Sequence, residues 1–341
     1  MARLLFLQNH EAEYLGPMYI SAELRRAGHD CRLAVGSSLE DFAPAIEAFR
    51  PQAIGFSIMT GGHGWALDMA AKVKAAFGLT TLMGGPHPTF FPDVASHPAL
   101  DAAVRGEAEA AMVEIMDRLA VGQNLQGIPN VLCRVDGRVL ETPVRPLVDD
   151  LDEIAFADRE LYEVLGSRRD TRVQRVLTAR GCPFDCAFCF QGSMRKLYAG
   201  KGRMLRVRRA QKVIEECLVL KRERGAQVIY FADDCFGVDR KWLYPFLETY
   251  RREVALPFVC LARADVVARD EDYARRLAQA GCQSVFFGIE TGSERLRNEV
   301  LNKRLSDADI VLTARRLHDA GNRSRVRSGQ RRHDSGVCRH L

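Results

Sequence analysis

The sequence has no apolar run near the roughly 18 residues needed to cross a bilayer. The apolar stretch within MARLLFLQNH is too short for a secretory leader. A cytoplasmic location and no membrane partner are therefore expected. The chain also lacks the spacing of a disulfide framework. Of its ten cysteines, Cys31, Cys133, Cys217, Cys235, Cys260, Cys282 and Cys338 are scattered singly and read as core or strand-end thiols. A basic face is missing too. The segment GNRSRVRSGQRRHDSGVCRHL (321–341) holds six arginines against one aspartate and so carries the whole net charge of +5. Basicity confined to a tail gives no ground for a nucleic-acid partner. What is there is an ordinary globular composition, 47% hydrophobic and 27% charged, in 341 residues, the length of two domains.

The first third alternates short apolar runs with amphipathic ones. RLLFLQ (3–8), CRLAVG (31–36), AIGFSIM (53–59), TTLMGG (80–85) and DAAVRG (101–106) read as strands apolar on both faces, as buried parallel strands are. Helical spacing fills 17–28, 39–50 and 64–78 between them. The pattern predicts an α/β fold with a doubly wound, Rossmann-like parallel sheet over residues 1–130. Residues 131–172 read as a linker with a hairpin turning at Asp136-Gly137.

A second β–α series occupies 173–321, with strands at 175–181, 228–234, 258–265 and 284–290 and helices at 209–224, 240–253, 270–280 and 306–320. Ser306 and Asp309 are spaced as a capping box. The alternation is that of a β/α (TIM-type) barrel, but an incomplete one. After residue 321 the apolar period stops, and 322–341 reads as a basic tail, either disordered or frame-shifted, that leaves the barrel truncated.

The densest chemistry is RGCPFDCAFCFQG (180–192), where Cys182, Cys186 and Cys189 fall within eight residues directly after a strand. A fourth cysteine is missing. Thiolates ligate iron–sulfur clusters, and three of them on a four-iron cube leave one iron open, as catalytic zinc keeps one open position. A zinc site with a distant fourth ligand remains the alternative.

GCPFDCAFC resembles the signature of the radical S-adenosylmethionine enzymes. The resemblance implies a 4Fe–4S cluster on Cys182, Cys186 and Cys189, whose open iron chelates S-adenosylmethionine before its reductive cleavage to a 5′-deoxyadenosyl radical. It also implies cofactor contacts from Phe188 beside the adenine, Asp233 and Asp234 (in YFADDCF) at the amino end, Arg263 (in LARAD) at the carboxylate and Glu290 (in FFGIETGSE) at the ribose. Read without the resemblance, each of these polar residues serves equally as a helix cap or a barrel salt bridge.

AIGFSIMTG, LMGGPHPTFFP and AAVRGEAE resemble the cobalamin-binding domain that precedes many such barrels. Ligands of a doubly wound sheet bind at its carboxyl edge, which points to Ser57, Thr60, Gly84, Gly85, His87 and Gly106, with His63 as a further loop polar group; on sheet pattern alone a nucleotide-binding or receiver-like domain fits equally well, and the alternative for the glycines is that they serve only tight βα turns. The D-x-H-x-x-G motif that supplies a histidine to cobalt is missing, since that region reads QNHEAEYLG. His10 is therefore not expected to be a cobalt ligand. Residues 1–130 hold only Cys31, which argues against a methylthiotransferase with a second cluster. The resemblance implies a cobalamin-dependent radical enzyme that transfers methyl to an unactivated carbon or phosphorus of a small molecule, with an electron donor such as flavodoxin or ferredoxin. The alternatives are a radical cyclase of the tetrapyrrole type and an inactive, truncated cofactor-binding product.

Overall fold

The computed structural model describes residues 1–135 and 137–328. The chain divides into two compact units, Met1–Leu147 with Ile154–Arg169, and Val148–Glu153 with Asp170 onward.

The first unit runs β1 (Arg3–Gln8), α1 (Leu15–Arg26), β2 (Asp30–Val35), α2 (Leu39–Phe49), β3 (Ala53–Ser57), α3 (His63–Phe77), β4 (Thr80–Gly84), α4 (Pro86–Phe90), β5 (Ala102–Val104), α5 (Glu109–Ala120), β6 (Val131–Val135) and β7 (Arg138–Glu141). The sheet order is β2-β1-β3-β4-β5-β6-β7, with β1 to β5 all parallel. Leu4, Leu5, Phe6 and Leu7 of β1 are all buried, because helices cover both faces of such a sheet. On one face Phe42 and Ile46 of α2 pack with Met69 and Val73 of α3 against Leu5, Leu7 and Phe56. α2 starts where expected, at a reciprocal capping box between Ser38 and Asp41. Strand order reverses on either side of β1, which puts the switch point at the carboxyl ends of β1 and β3.

The stretch read as a linker is largely folded onto this unit. β6 pairs antiparallel with the three-residue strand β5, and β7 with β6. The exposed edge of β5 takes up the hairpin, and Val131, Leu132 and Cys133 become buried. Gly137 turns the hairpin at φ 77°, while Asp136 lies outside the described residues. Farther on, Tyr162 donates to Gln8 Oε1 at 3.0 Å and accepts from the Tyr14 amide at 3.1 Å. Ser21 donates to Asp158 at 2.6 Å.

The second unit contains β8 (Val173–Val176), β9 (Ala179–Arg180), α6 (Phe190–Leu197), β10 (Arg206–Val207), α7 (Ala210–Glu223), β11 (Val228–Phe231), α8 (Arg240–Glu253), β12 (Phe258–Leu261), α9 (Ala264–Ala268), α10 (Glu271–Gln279), β13 (Cys282–Glu290), α11 (Asp307–Asp319) and β14 (Arg323–Ser328). Its sheet is parallel throughout, in the order β14-β13-β12-β11-β8. Phe231 anchors the core, with Phe236, Phe258 and Phe246 at centroid distances of 4.8, 5.3 and 5.6 Å. The capping box of α11 forms as read, between Ser306 and Asp309.

Among the described residues this sheet is open, with β8 and β14 at its edges. β14 corrects the expectation that structure ends at 321. Its RSRVRS has no apolar period, but parallel pairing with β13 uses main-chain groups that any side chain leaves available. Buried Asn322 leads into it, donating to the Ala274 carbonyl at 2.9 Å. The rest of the tail, 329–341, lies outside the described residues.

Candidate cofactor sites at two strand-end rims

The cysteine turn leaves the carboxyl end of β8 through β9. Asp233, at the end of the neighbouring β11, fixes that exit. Its buried carboxylate accepts from the Thr178 amide at 2.7 Å and the Ala179 amide at 3.1 Å, and from the Thr178 hydroxyl. Gly181 then turns with φ 85°, and a Cβ there would stand 2.0 Å from the Met204 carbonyl oxygen. Only glycine meets both demands. Arg195 of α6 reaches back to the carbonyls of Cys182 and Phe184, each at 3.0 Å, and Cys189 caps the same helix.

Cys186 is buried and Cys182 and Cys189 are partly exposed. Arg263, just past β12, donates from Nη1 to Cys186 Sγ at 3.2 Å and lies 3.8 Å over the Phe184 ring. Its other nitrogens bond Asp265 at 2.9 Å and the Lys303 carbonyl at 2.5 Å. Lys303, 6% exposed, pairs with Glu290 at 2.7 Å and lies 5.5 Å from the Phe188 ring centroid. Glu290 holds a left-handed backbone at φ 68°, an arrangement that costs a non-glycine residue about 1–3 kcal/mol.

Burial raises the Cys182 and Cys189 thiols, and the negative Asp234 adds to this, while Arg263 and Lys303 oppose it. Burial also pushes Asp233 up to about 6 and raises Asp234, which accepts from Gln191 Nε2 at 2.5 Å. Among the described residues no three His, Cys, Asp or Glu side chains gather tightly enough for one metal ion. The thiols are instead spread along one turn. Three soft donors from a single loop, flanked by two cations that offset negative charge, fit an iron–sulfur cluster, where each thiolate takes its own iron.

The structure thus brings the expected residues to one rim but divides their work. Asp233 is committed to the loop exit, so Asp234 is the carboxylate of the pair with capacity left. Arg263 serves a cysteine, and Glu290 is held by a lysine. Thr178, Gln191, Arg195 and Lys303 had not been singled out. Gln191 stood in the motif without a distinguishing signal, and Lys303 lies in LNKRL, which has no period to mark it.

The first unit has its own rim at the carboxyl ends of β3, β4 and β5, where Ser57, Thr60, Gly84, Gly85, His87 and Gly106 come together. Ser57 is level with Gly84 in the strand register. The Ile58 amide donates to the Gly84 carbonyl and the His87 amide to the Ile58 carbonyl, both at 2.9 Å. At Gly85, φ 94°, a Cβ would meet the Ile58 amide nitrogen at 2.8 Å. This glycine lets two strand-end loops touch. Thr89 donates to the Gly85 carbonyl at 2.8 Å and accepts from the Gly106 amide at 3.0 Å. His63 stacks on His87 at 4.1 Å, and His87 on Phe91 at 5.2 Å. Thr60 Oγ1 lies 3.3 Å from His87 Nδ1. Burial holds His87 and His10 below the ordinary imidazole value. The Nδ1 atoms of His10 and His63 are buried without a partner among the described residues, and Met59 and Phe91 expose 57% and 52% of their surface. A stack of rings, exposed apolar area and unspent nitrogens fit a large, largely apolar ligand bearing amides.

Comparison with known proteins covers both units. The B12 binding domain family matches residues 9–116, and the Radical SAM superfamily matches 176–328. An uncharacterised methyltransferase of Pyrococcus horikoshii is 32% identical over 90% of this chain and 68% of its own. The chain belongs to the cobalamin-binding radical S-adenosylmethionine family. The cofactors of that family are a 4Fe–4S cluster, S-adenosylmethionine and cobalamin. Within it, an anaerobic magnesium-protoporphyrin IX monomethyl ester cyclase of Rubrivivax gelatinosus is 27% identical over 89% of this chain and 56% of its own. The cobalamin-dependent S-adenosylmethionine radical enzyme OxsB shares the fold, with a TM-score of 0.79 and 18% identity over 96% of this chain and 49% of its own. The chain thus spans between about half and two thirds of the length of these family members.

Proposed function

We infer that the chain acts as a cobalamin-dependent radical S-adenosylmethionine methyltransferase on an unactivated carbon or phosphorus of a small molecule. One observation carries this reading. A single glycine-hinged turn presents Cys182, Cys186 and Cys189 at a strand-end rim that also holds Asp234, Arg263 and the Lys303–Glu290 pair. When bound, the cluster supplies an electron for cleaving S-adenosylmethionine and cobalamin supplies a transferable methyl group.

The chain's own residues prepare the site. Asp233 and Arg195 fix the two ends of the turn. Arg263 donates a hydrogen bond to Cys186 Sγ, a contact that would hold this ligand in place on a bound cluster. Asp234 offers a carboxylate to a cationic amine, Phe188 an exposed ring to a planar base, and Glu290 oxygens to hydroxyls once Lys303 shares them. In the first unit Ser57, Thr60, His63 and His87 offer polar contacts, and Phe91 and Met59 offer apolar ones.

No helix among the described residues is long and apolar enough to cross a membrane. The reading takes the enzyme to work in the cytoplasm beside a reductant such as flavodoxin or ferredoxin. The test is anaerobic. The protein is reconstituted with iron and sulfide, reduced, and its electron paramagnetic resonance recorded with and without S-adenosylmethionine. A four-iron signal that changes on addition supports the reading. Retained zinc with no cluster sinks it. Incubation with methyl-labelled S-adenosylmethionine and cobalamin separates methyl transfer, which moves label to an acceptor, from cyclisation, which does not.

A further inference from the structure

Gln191 stands two residues past Cys189, in the first turn of α6. Its side chain is 4% exposed, yet only one end of its amide is used. Nε2 donates to Asp234 Oδ2 at 2.5 Å, while Oε1 is buried with no partner among the described residues. A buried amide oxygen left unpaired costs about 1–3 kcal/mol, so such atoms call for an explanation. The orientation is not arbitrary. An ionised Asp234 accepts only, so the NH2 end must face it and the oxygen must face away. The result is a carboxylate tied to an amide whose oxygen, on the same carbon as the bonded nitrogen, is left over as a second acceptor close by. The charge of Asp234 is felt at both Cys182 and Cys189. Two acceptors fixed to each other and short of donors form a receptor for a group with several N–H bonds.

We propose that Gln191 Oε1 and Asp234 together form the amine-reading subsite beside the cysteine turn, with Gln191 as its specificity-determining residue, accepting an N–H of the α-amino group of S-adenosylmethionine. This rests on the function inferred above and adds to it a residue that no motif marks. Gln191 has two tasks there. Its Nε2 holds Asp234 in place, and its Oε1 accepts a second N–H that the carboxylate alone does not reach. Arg263 and Lys303 present donors only and cannot substitute.

The test is a cycle between protein and ligand on cluster-reconstituted enzyme. Binding of S-adenosylmethionine is measured by calorimetry against an analogue in which hydrogen replaces the α-amino group, for wild type, Gln191→Leu and Gln191→Glu. Iron content confirms loading of each. The leucine variant should bind S-adenosylmethionine about tenfold more weakly, the scale of one lost charge-assisted hydrogen bond, and the analogue as wild type does. The glutamate variant keeps an acceptor oxygen at that place and, by sharing one proton with Asp234, keeps the hydrogen bond between the two side chains; it should keep the preference for the amine. Equal loss of both ligands in Gln191→Leu, or loss of neither, overturns the proposal and leaves the functional reading standing. If the leucine variant takes up no cluster, Gln191→Glu decides alone, since a preference for the amine abolished there overturns the proposal. A loaded wild type that binds no S-adenosylmethionine defeats the functional reading, and the proposal with it.

Discussion

The two rims occupy the same place in their units, the carboxyl edge of a parallel sheet, and are built from opposite materials. The rim of the second unit is made of charged and ionisable side chains, namely three thiols, two aspartates and the Lys303–Glu290 pair, with Arg263 among them. The rim of the first unit is made of stacked rings and close backbone, with His63, His87 and Phe91 in a column and Gly85 against Ile58. On the function proposed above, one edge suits a charged cluster and a cationic cofactor, and the other a large body held by shape and amides. The fold supplies the edge, and the residues decide what can stand on it.

The largest effect should come from Cys186, the buried thiol under Arg263. Cys186→Ala should reduce iron from about four per chain to background while leaving cobalamin binding intact. Metal analysis and a cobalamin titration on the same sample check this, and joint loss would mean the rims are not independent. Next comes the backbone. Gly181→Ala forces a Cβ to 2.0 Å from the Met204 carbonyl oxygen at φ 85°, and should destabilise the second unit by at least about 2 kcal/mol and abolish cluster uptake. Gly85→Ala meets Ile58 at 2.8 Å and should weaken cobalamin binding with little effect on iron. Gly64→Ala, which meets nothing within 4 Å, is the control. Thermal unfolding with both ligand assays reads out all three.

The rims should also respond oppositely to pH. Asp233 is pushed up to about 6 in the folded chain, against about 3.9 unfolded. Its contribution is greatest below pH 4 and is lost as pH rises through 6. His10 and His87 are lowered by burial. Their contribution is present above the ordinary imidazole value and is lost as pH falls. Asp233→Asn removes the first term. Relative to wild type it should be about 2–3 kcal/mol more favourable at pH 7 than at pH 4. Unfolding midpoints at the two pH values measure this, and a difference that does not change with pH would show that Asp233 does not titrate in that window.

The same contrast explains what the sequence could convey. The second rim was legible where its chemistry is written as residue identity at fixed spacing, as in the cysteines. Its division of labour was not. Asp233 and Asp234 are adjacent letters, and only folding turns one toward Thr178 and the other toward Gln191. Lys303 reaches Glu290 across thirteen positions, without any period that spacing reveals. The first unit's strands and α2 were visible as short apolar runs and helical spacing, and α11 of the second unit as a capping pair. The hairpin was visible too, but its docking on β5 depends on an exposed strand edge, and strand β14 depends on main-chain pairing that RSRVRS does not encode in its side chains.

The smallest effect tests the least legible part, the ring column of the first rim. Phe91 is half exposed and stacks 5.2 Å from His87. A surface ring with one partner contributes little to folding, so Phe91→Ala should change stability by no more than about 0.5 kcal/mol. If the column is a wall for a large ligand, the same change should weaken cobalamin binding by about three- to tenfold, the scale of one aromatic contact of 0.5–1.5 kcal/mol. Phe188→Ala is its counterpart on the other rim, and should weaken S-adenosylmethionine by a similar factor while leaving cobalamin unchanged. Measured together, the two variants form a crossed experiment in which each ring should affect only its own ligand. A Phe91 variant that binds cobalamin as wild type does would move the ligand off the ring column and leave the edge of Ser57, Gly84 and Gly106 to hold it.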